Sequence, residues 1–178
     1  MDNTKVINLG LVFEDRFSRM LEQYSQDLSV KMPGSYVLGI NSIPHISVVQ
    51  LLDSRSPEHL WDLAEKVLKQ PIQVKLKGLY FDPEQDSKRV WFGLRVALTD
   101  DLMVLQRNLI NEIKPDAVIN GKGVGYFPHV TMGYSMPCEE LSAIPFGDLP
   151  TILDTVPCRL AMGRSGPDYQ FAEKIYGC

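Results

Sequence analysis

Two short segments of the chain carry the same order of residue types, and each contains a histidine. Residues 44–47 (PHIS) and 128–131 (PHVT) both run proline, histidine, apolar residue, hydroxyl residue. Both lead into apolar stretches, which favours strands, and in a strand residues i and i+2 point to one face roughly 6–7 Å apart. A hydroxyl can hold a phosphoryl oxygen while an imidazole moves a proton. The pattern therefore indicates phosphate chemistry, with one acid and one base, at His45, Ser47, His129 and Thr131.

The repetition of this pattern decides how its histidines are interpreted. A single histidine in a strand more often has a structural role, and the hydroxyl residues could simply be strand formers. Two matching segments at equivalent places of a repeat favour a shared site instead. The third histidine, His59, follows a predicted helix N-cap at Ser56 and is interpreted as a solvated surface residue.

The spacing of the two segments extends to other parts of the chain. His129 follows His45 by 84 residues, and the apolar runs that begin at Val6 and Val90 keep the same offset. Similarity at a fixed period is a sign of duplicated architecture. We therefore predict a single domain, residues 1–178, with two pseudo-symmetric lobes that correspond approximately to residues 6–81 and 90–164. The histidine strands are expected to meet in a central cleft between the lobes.

Apolar periodicity and chain-breaking residues predict an α+β fold. Helices are expected over residues 14–29, from residue 57 to the break at 71, and from residue 100 to the break at 115. Extended segments are expected over residues 6–13, 36–40, 45–52, 73–81, 90–98, 155–162 and 168–176. A glycine-rich loop is predicted over 120–125, and a longer loop over 137–150 with one helical turn at 139–143.

Two cationic residues are further candidates for substrate contacts. Lys122 lies in the run 121–125 (GKGVG), which completes no nucleotide-binding motif because position 126 is tyrosine and no GK[ST] follows. We interpret this run as a flexible loop at the mouth of the cleft, where Lys122 could reach a phosphate. Arg164, at the end of a predicted strand, is the other candidate.

Three aromatic residues near the second histidine are predicted to belong to the core. Strand parity puts Tyr134 on the face opposite His129, which favours packing over stacking on a nucleobase. Trp91 and Phe92 lie in an apolar predicted strand and are interpreted in the same way.

Composition limits the classes of partner. Of 178 residues, 44% are hydrophobic and 22% charged, and the net charge of −4 lacks the basic character of a protein that coats long nucleic acids. A small nucleotide or an RNA end is the expected partner. The three cysteines are odd in number and widely spaced, no metal-binding spacing is present, and no segment is apolar enough to signal secretion or membrane insertion. We therefore expect a cytoplasmic protein without a metal or other cofactor.

The two motifs resemble the paired H-x-[ST] signatures of the 2H phosphoesterase superfamily, which includes 2′–5′ RNA ligase-like proteins and cyclic phosphodiesterases. The resemblance covers nearly the whole chain, through motif spacing, the repeat and the closing pair of strands. Two features depart from the common pattern: serine stands in the first motif, and residues 132–134 (MGY) replace the leucine and nearby arginine typical of bacterial members. These departures leave the subfamily and the substrate open.

The resemblance implies a fold and a chemistry. The fold would be two α+β lobes, each an antiparallel sheet flanked by helices, around a metal-independent cleft. His45 and His129 would be the acid–base pair, and Ser47 and Thr131 would bind phosphate. The expected activity is hydrolysis of a 2′,3′-cyclic phosphate or a related RNA or nucleotide phosphodiester. Alternatives are a phosphodiesterase of 2′–5′ oligoadenylate or cyclic oligonucleotides, ligation by the reverse reaction, and a nucleotide- or RNA-end-binding module without turnover.

Overall fold

The computed structural model describes residues 6–31, 36, 38–84, 89–120, 125–135 and 155–177. Three helices are present there: α1 (Asp15–Lys31), α2 (Pro57–Val67) and α3 (Asp100–Ile113). The strands are β1 (Ile7–Phe13), β2 (His45–Leu52), β3 (Ile72–Pro83), β4 (Val90–Val96), β5 (Ala117–Asn120), β6 (His129–Ser135), β7 (Thr155–Ser165) and β8 (Phe171–Gly177). The predicted α+β class is therefore confirmed. Lys122 and the predicted loop over 137–150 lie outside the described residues.

The eight strands form one antiparallel sheet. Seven of them follow the order β5-β2-β1-β7-β3-β4-β6, and β8 pairs with β7. Within this order we call β2, β1 and β7 the first lobe, and β6, β4 and β3 the second lobe. The two lobes are equivalent: β2 corresponds to β6, β1 to β4 and β7 to β3, counted from the two outer edges inward. The lobes meet where β3 pairs with β7, with Ile72 opposite Cys158 and Val74 opposite Val156. Each lobe thus receives its innermost strand from the other half of the sequence.

The helices begin where the sequence supplies the expected caps. The Ser56 hydroxyl accepts a hydrogen bond from the backbone N–H of His59 at the start of α2, and Thr99 accepts one from Leu102 at the start of α3. These caps satisfy N–H groups that have no partner inside the helix. Lys114 ends α3 in the left-handed conformation. His59 is exposed on α2, as predicted.

The apolar side chains of both lobes form one continuous core. Alternate residues of β1 and β4 point into it, among them Leu9, Leu11, Phe92 and Leu94, all buried. The other face of the sheet carries the histidine and hydroxyl residues of the two motifs, on β2 and β6. Burial of one face fixes the register of the strands, because a slip by one residue would expose the whole apolar set.

Three predicted boundaries are wrong. Residues 117–120 form the edge strand β5, paired with β2, whereas the sequence suggested a connection there. In the predicted extended segment 36–40, Leu38 forms a single bridge with Ser42 and the chain turns at 39–40. β8 begins at Phe171 instead of 168, because Asp168 and Tyr169 have φ angles of 55° and 58°, which a strand cannot contain.

Three further properties concern only the described part of the chain. None of its helices has the length and apolar character needed to cross a membrane. It holds no cluster of three or more His, Cys, Asp or Glu side chains suited to a metal ion. Cys158 is buried as a free thiol.

Candidate active site

The two histidine strands have the same irregularity at the same place. In the first lobe Gly10 lies opposite Ser47 and Leu9 opposite Val49, so Val48 has no partner and forms a bulge. In the second lobe Gly93 lies opposite Thr131 and Phe92 opposite Gly133, which makes Met132 the bulged residue. A β-bulge redirects the side chains beyond it. The registers equate β1 with β4 at an offset of 83 residues, one less than the 84 inferred from the sequence.

Each bulge is held by a buried side chain from a helix of the other half. The Ser25 hydroxyl on α1 donates to the carbonyl of Met132 at 3.1 Å, and the Gln106 amide on α3 donates to the carbonyl of Val48 at 3.1 Å. A bulge leaves a backbone group without its ladder partner, and these bonds replace it. The helices therefore fix the backbone immediately after each histidine motif.

Glycine stands opposite each motif hydroxyl residue. A Cβ at Gly93 would overlap the carbonyl oxygen of Val130 and lie 2.7 Å from the Tyr80 ring. A Cβ at Gly10 would lie 3.2 Å from the carbonyl oxygen of Ile46, a milder conflict. The close approach of the strands beside the motifs thus requires glycine in the second lobe and favours it in the first.

His45 is buried and held in one tautomer. Its Nδ1 lies 2.8 Å from the carbonyl oxygen of Ile43, which can only accept, so Nδ1 carries the proton and donates it. Nε2 then accepts from the Ser47 hydroxyl at 3.1 Å. The Phe171 ring packs edge-on against the imidazole, with centroids 5.2 Å apart. Burial lowers the pKa of His45 to about 4, the Ile43 carbonyl opposes this shift, and the charge of His129 adds to it.

His129 has the same backbone partner but a more open surrounding. Its Nδ1 donates to the carbonyl of Phe127 at 2.8 Å, which leaves Nε2 directed away from its own backbone. The ring packs against both Tyr80 and Phe127, with centroid distances of 4.7 and 5.5 Å. Burial lowers the pKa of His129, whereas the Phe127 carbonyl and the negative charge of Asp82 raise it and partly offset the effect of burial.

The two histidine motifs lie close to each other. The charge of His129 influences the pKa of His45, so the imidazoles are within electrostatic reach of each other. The Tyr126 hydroxyl, just before the second motif, donates to the carbonyl of Ser47 at 3.1 Å and links the motifs directly. Thr131 is buried, and its hydroxyl lies within hydrogen-bonding distance, 3.3 Å, of the Tyr80 hydroxyl. The two motifs therefore lie near each other although they come from separate halves of the chain, and of their residues only His129 and Thr131 line the cavity described below.

Beyond the second motif, the bulge brings an aromatic pair to the site face. Trp91 lies directly opposite Tyr134, and Trp91 shares the face of Gly93 and therefore of Thr131. The prediction that Tyr134 faces away from His129 is wrong, because Met132 adds one residue to the strand and reverses its parity. The prediction that Trp91 belongs to the core is confirmed in part, because the half-buried ring packs against the core and also lines a cavity with His129 and Thr131. Phe92 is buried in the core, as predicted.

This cavity has a volume of about 330 Å³ and carries charge at its rim. Its walls include Tyr80, Asp82, Trp91, His129, Thr131 and Asp168. The Arg89 guanidinium lies over the rings of Trp91 and Tyr134, 5.3 and 5.2 Å from their centroids. It is held by Glu84 and by Asp168.

The equivalent place in the first lobe is closed and polar. There Asn8 lies opposite Gln50, where the second lobe has Trp91 and Tyr134. Both amide side chains are buried. The Gln50 Nε2 donates to the carbonyl of Tyr169 at 2.6 Å, while both polar side-chain atoms of Asn8 have no hydrogen-bonding partner within the described residues.

Arg164, the other predicted substrate contact, lies away from the two motifs. Arg164 lies opposite Ile7 and Glu173, is exposed, and shares the sheet face of Ile7, opposite the face of His45. The structure therefore does not bring Arg164 to the two histidine motifs. Tyr80 and Phe171, which contact the histidines, carried no signal in the sequence.

Comparison with known proteins supports the fold at low sequence identity. No family model matches the chain, and no curated protein matches it by sequence. Among solved structures, TT0787 of Thermus thermophilus is 13% identical, with a TM-score of 0.58 over 96% of this chain and 95% of that protein. Usb1 of Kluyveromyces marxianus is 10% identical, with a TM-score of 0.53 over 97% of each chain. The chain therefore shares its overall fold with both proteins along nearly its whole length.

Proposed function

We propose that this protein is a metal-independent phosphodiesterase of the 2H type that hydrolyses a 2′,3′-cyclic phosphate or a related nucleotide phosphodiester. The observation that supports the proposal is the duplicated motif geometry, with a histidine and a hydroxyl at equivalent positions of each lobe and the Tyr126 hydroxyl linking the two motifs. The full-length likeness to TT0787 and Usb1 is consistent with this fold-level assignment. We expect the protein to act in the cytoplasm.

We assign His45 as the general base and His129 as the general acid. His45 is neutral at physiological pH because its pKa is about 4, and its Nδ1 proton is committed to Ile43, so Nε2 is the atom that can accept a proton. Burial lowers the pKa of His129 as well, but the charge of Asp82 favours the protonated form of His129, whereas the charge of His129 disfavours that of His45, so His129 is the better proton donor of the two. Such acid–base transfer typically contributes about 10²–10⁴-fold to a rate.

The reaction then proceeds as an in-line displacement. His45 takes a proton from water, the water oxygen forms a bond to phosphorus, and the bond between phosphorus and one ribose oxygen breaks. His129 gives its proton to that departing oxygen, and solvent returns both histidines to their starting states. When the phosphate binds, the Ser47 hydroxyl turns from Nε2 of His45 to one non-bridging oxygen and Thr131 donates to another, where negative charge develops.

The aromatic pair supports a nucleotide as substrate. Trp91 lines the cavity next to Thr131, where a phosphate bound by the motifs would leave its nucleoside. Stacking of a base on an aromatic side chain contributes about 1–3 kcal/mol. A substrate without a base would therefore bind less tightly.

The test is turnover of nucleoside 2′,3′-cyclic phosphates, RNA ending in a cyclic phosphate, and 2′–5′-linked dinucleotides, each in the presence of EDTA. We expect hydrolysis by the wild type and near-complete loss in His45→Ala and His129→Ala. His59→Ala is the matched control, because His59 is exposed on α2, and it should keep full activity. Wild-type rates in either motif variant, or loss of activity with EDTA, would refute the proposal.

The same substrates separate the alternatives. Turnover confined to 2′–5′ linkages would assign the protein to that phosphodiester class. Tight binding of a nucleotide without product from any substrate would indicate a binding module.

A further inference from the structure

The cavity beside His129 is unusual for a protein that handles phosphate, because its rim is acidic. Asp82, Glu84 and Asp168 line it, and Arg89 lies over the rings next to it. Among the described residues, three carboxylates against one guanidinium leave a charge of −2, or −1 when His129 carries the proton that its role as the acid requires.

The guanidinium of this group is already engaged by two of the acids. Arg89 donates to Glu84 at 2.6 and 3.1 Å and to Asp168 at 3.1 and 3.2 Å. Both carboxylates are therefore ion-paired with Arg89, and together they hold its guanidinium in place. A phosphate entering here would meet three negative charges beside a cation that is already paired.

Asp82 is the carboxylate left for a ligand. It lies on β3 directly opposite Trp91, which places its side chain on the same face as the ring and next to it. Asp82 is exposed, and its charge reaches His129. Arg89 covers one face of this ring, so a planar group would lie against the part of Trp91 that lines the cavity, with one edge directed toward Asp82.

These two features orient a nucleotide. The phosphate is repelled from the acidic rim and drawn to the hydroxyls of Ser47 and Thr131, so the base occupies the cavity. An ionised carboxylate is an acceptor only, with two oxygens side by side. It matches a base edge that presents two neighbouring N–H donors, which guanine offers at N1 and N2. Uracil offers one donor flanked by two carbonyl oxygens, which the carboxylates repel.

We propose that this cavity is a guanine-selective base subsite, in which Trp91 stacks on the base and Asp82 accepts hydrogen bonds from its N1 and N2 edge. The inference rests on the proposed function for the position of the phosphate and adds the identity of the base.

The experiment compares kcat/KM for the 2′,3′-cyclic phosphates of guanosine, inosine and uridine. Inosine lacks only the N2 amino group, so it isolates the second hydrogen bond. We expect guanosine to exceed uridine by about tenfold, the low end for a bidentate contact because Asp82 is exposed, with inosine between them. In Asp82→Ala the three values should converge within about twofold. Because each ratio is taken within one variant, an effect of Asp82 on the acidity of His129 cancels.

Asp62→Asn is the matched control, since Asp62 is an exposed acid on α2 and should leave the order of the three substrates unchanged. Equal kcat/KM for guanosine and uridine, or a guanosine preference that survives in Asp82→Ala, would overturn the inference while leaving the proposed function intact.

Absence of turnover for all three substrates would instead count against the proposed function. Calorimetric binding of 3′-GMP and 3′-UMP then decides the subsite by itself. Tighter binding of 3′-GMP that is lost in Asp82→Ala supports the subsite, and equal binding of the two nucleotides rejects it.

Discussion

The two lobes use one backbone frame to make two different half-sites. Both place a histidine, a hydroxyl and a bulge at matching positions, and both fix the imidazole through Nδ1 on the carbonyl two residues earlier. In the first lobe Phe171 covers the histidine, whereas in the second lobe the histidine borders an open aromatic cavity with Asp82 nearby. Burial lowers the pKa of both histidines, but only His129 has a carboxylate nearby that opposes the shift, so surroundings that the repeat does not share make two similar motifs electrostatically different.

The largest expected effect comes from removing the cover of the first half-site. Phe171 is fully buried against His45, and it also touches Gly10 and Gly163. Phe171→Ala should cost about 3–5 kcal/mol of unfolding free energy, measured by urea denaturation. The milder Phe171→Leu should remain folded and raise the pKa of His45 toward its ordinary value. An unchanged acidic limb of the pH–rate profile in Phe171→Leu would show that this ring does not set the pKa.

The burial of His45 should also make stability depend on pH. Its pKa of about 4 in the folded state lies below the ordinary 6.5, so between these values the unfolded chain binds a proton that the folded chain does not. This contribution to stability is complete above pH 6.5 and is lost as the pH falls toward 4, by about 3 kcal/mol. Denaturation of wild type and His45→Gln across this range checks it. Parallel curves for the two proteins would contradict the expectation.

The opposed glycines should separate the lobes by a smaller amount. Gly93→Ala must displace the backbone at Val130, whereas Gly10→Ala needs only a slight shift near Ile46 and Phe171. We expect losses of about 1–3 kcal/mol for Gly93→Ala and less for Gly10→Ala. Equal losses by chemical denaturation would mean that the strands approach equally closely in both lobes.

The smallest expected effect concerns the helix side chains that hold the bulges. Ser25→Ala removes the donor to the Met132 carbonyl, and Gln106→Leu removes the donor to the Val48 carbonyl. Each should cost about 1–2 kcal/mol because a buried carbonyl loses its donor, with Ser25→Ala the more costly of the two because the Leu38 N–H also loses its acceptor. Gln23→Leu, whose side chain bonds the exposed Asp27 on the same helix, is a control that should change stability by less than about 0.5 kcal/mol. A loss as small in Ser25→Ala as in this control would show that the hydrogen bond to the bulge does not stabilise the fold.

Much of the architecture could be predicted because it depends on local signals. The caps at Ser56 and Thr99 fixed two helix starts, and apolar periodicity identified most strands. The bulge at Met132 could not be predicted, since it consists of one unpaired residue whose presence depends on the partner strand. That single residue reversed the face assigned to Tyr134.

Long-range contacts were equally inaccessible to sequence reasoning. Phe171 covers His45 from 126 positions away, and nothing local marks it. Gly166 and Pro167 mark the turn before β8, but the left-handed residues Asp168 and Tyr169, which set the start of β8, have side chains for which positive φ is uncommon, so the sequence did not show how far the turn extends.

The most direct test of the central claim is a titration of the histidine ring protons by NMR with 3′-GMP. If one phosphate lies between the imidazoles, the signals of His45 and His129 will shift together, with the same apparent Kd, while His59 stays unchanged as an internal reference. A shift of only one motif histidine, or different saturation concentrations for the two, would contradict a shared phosphate site.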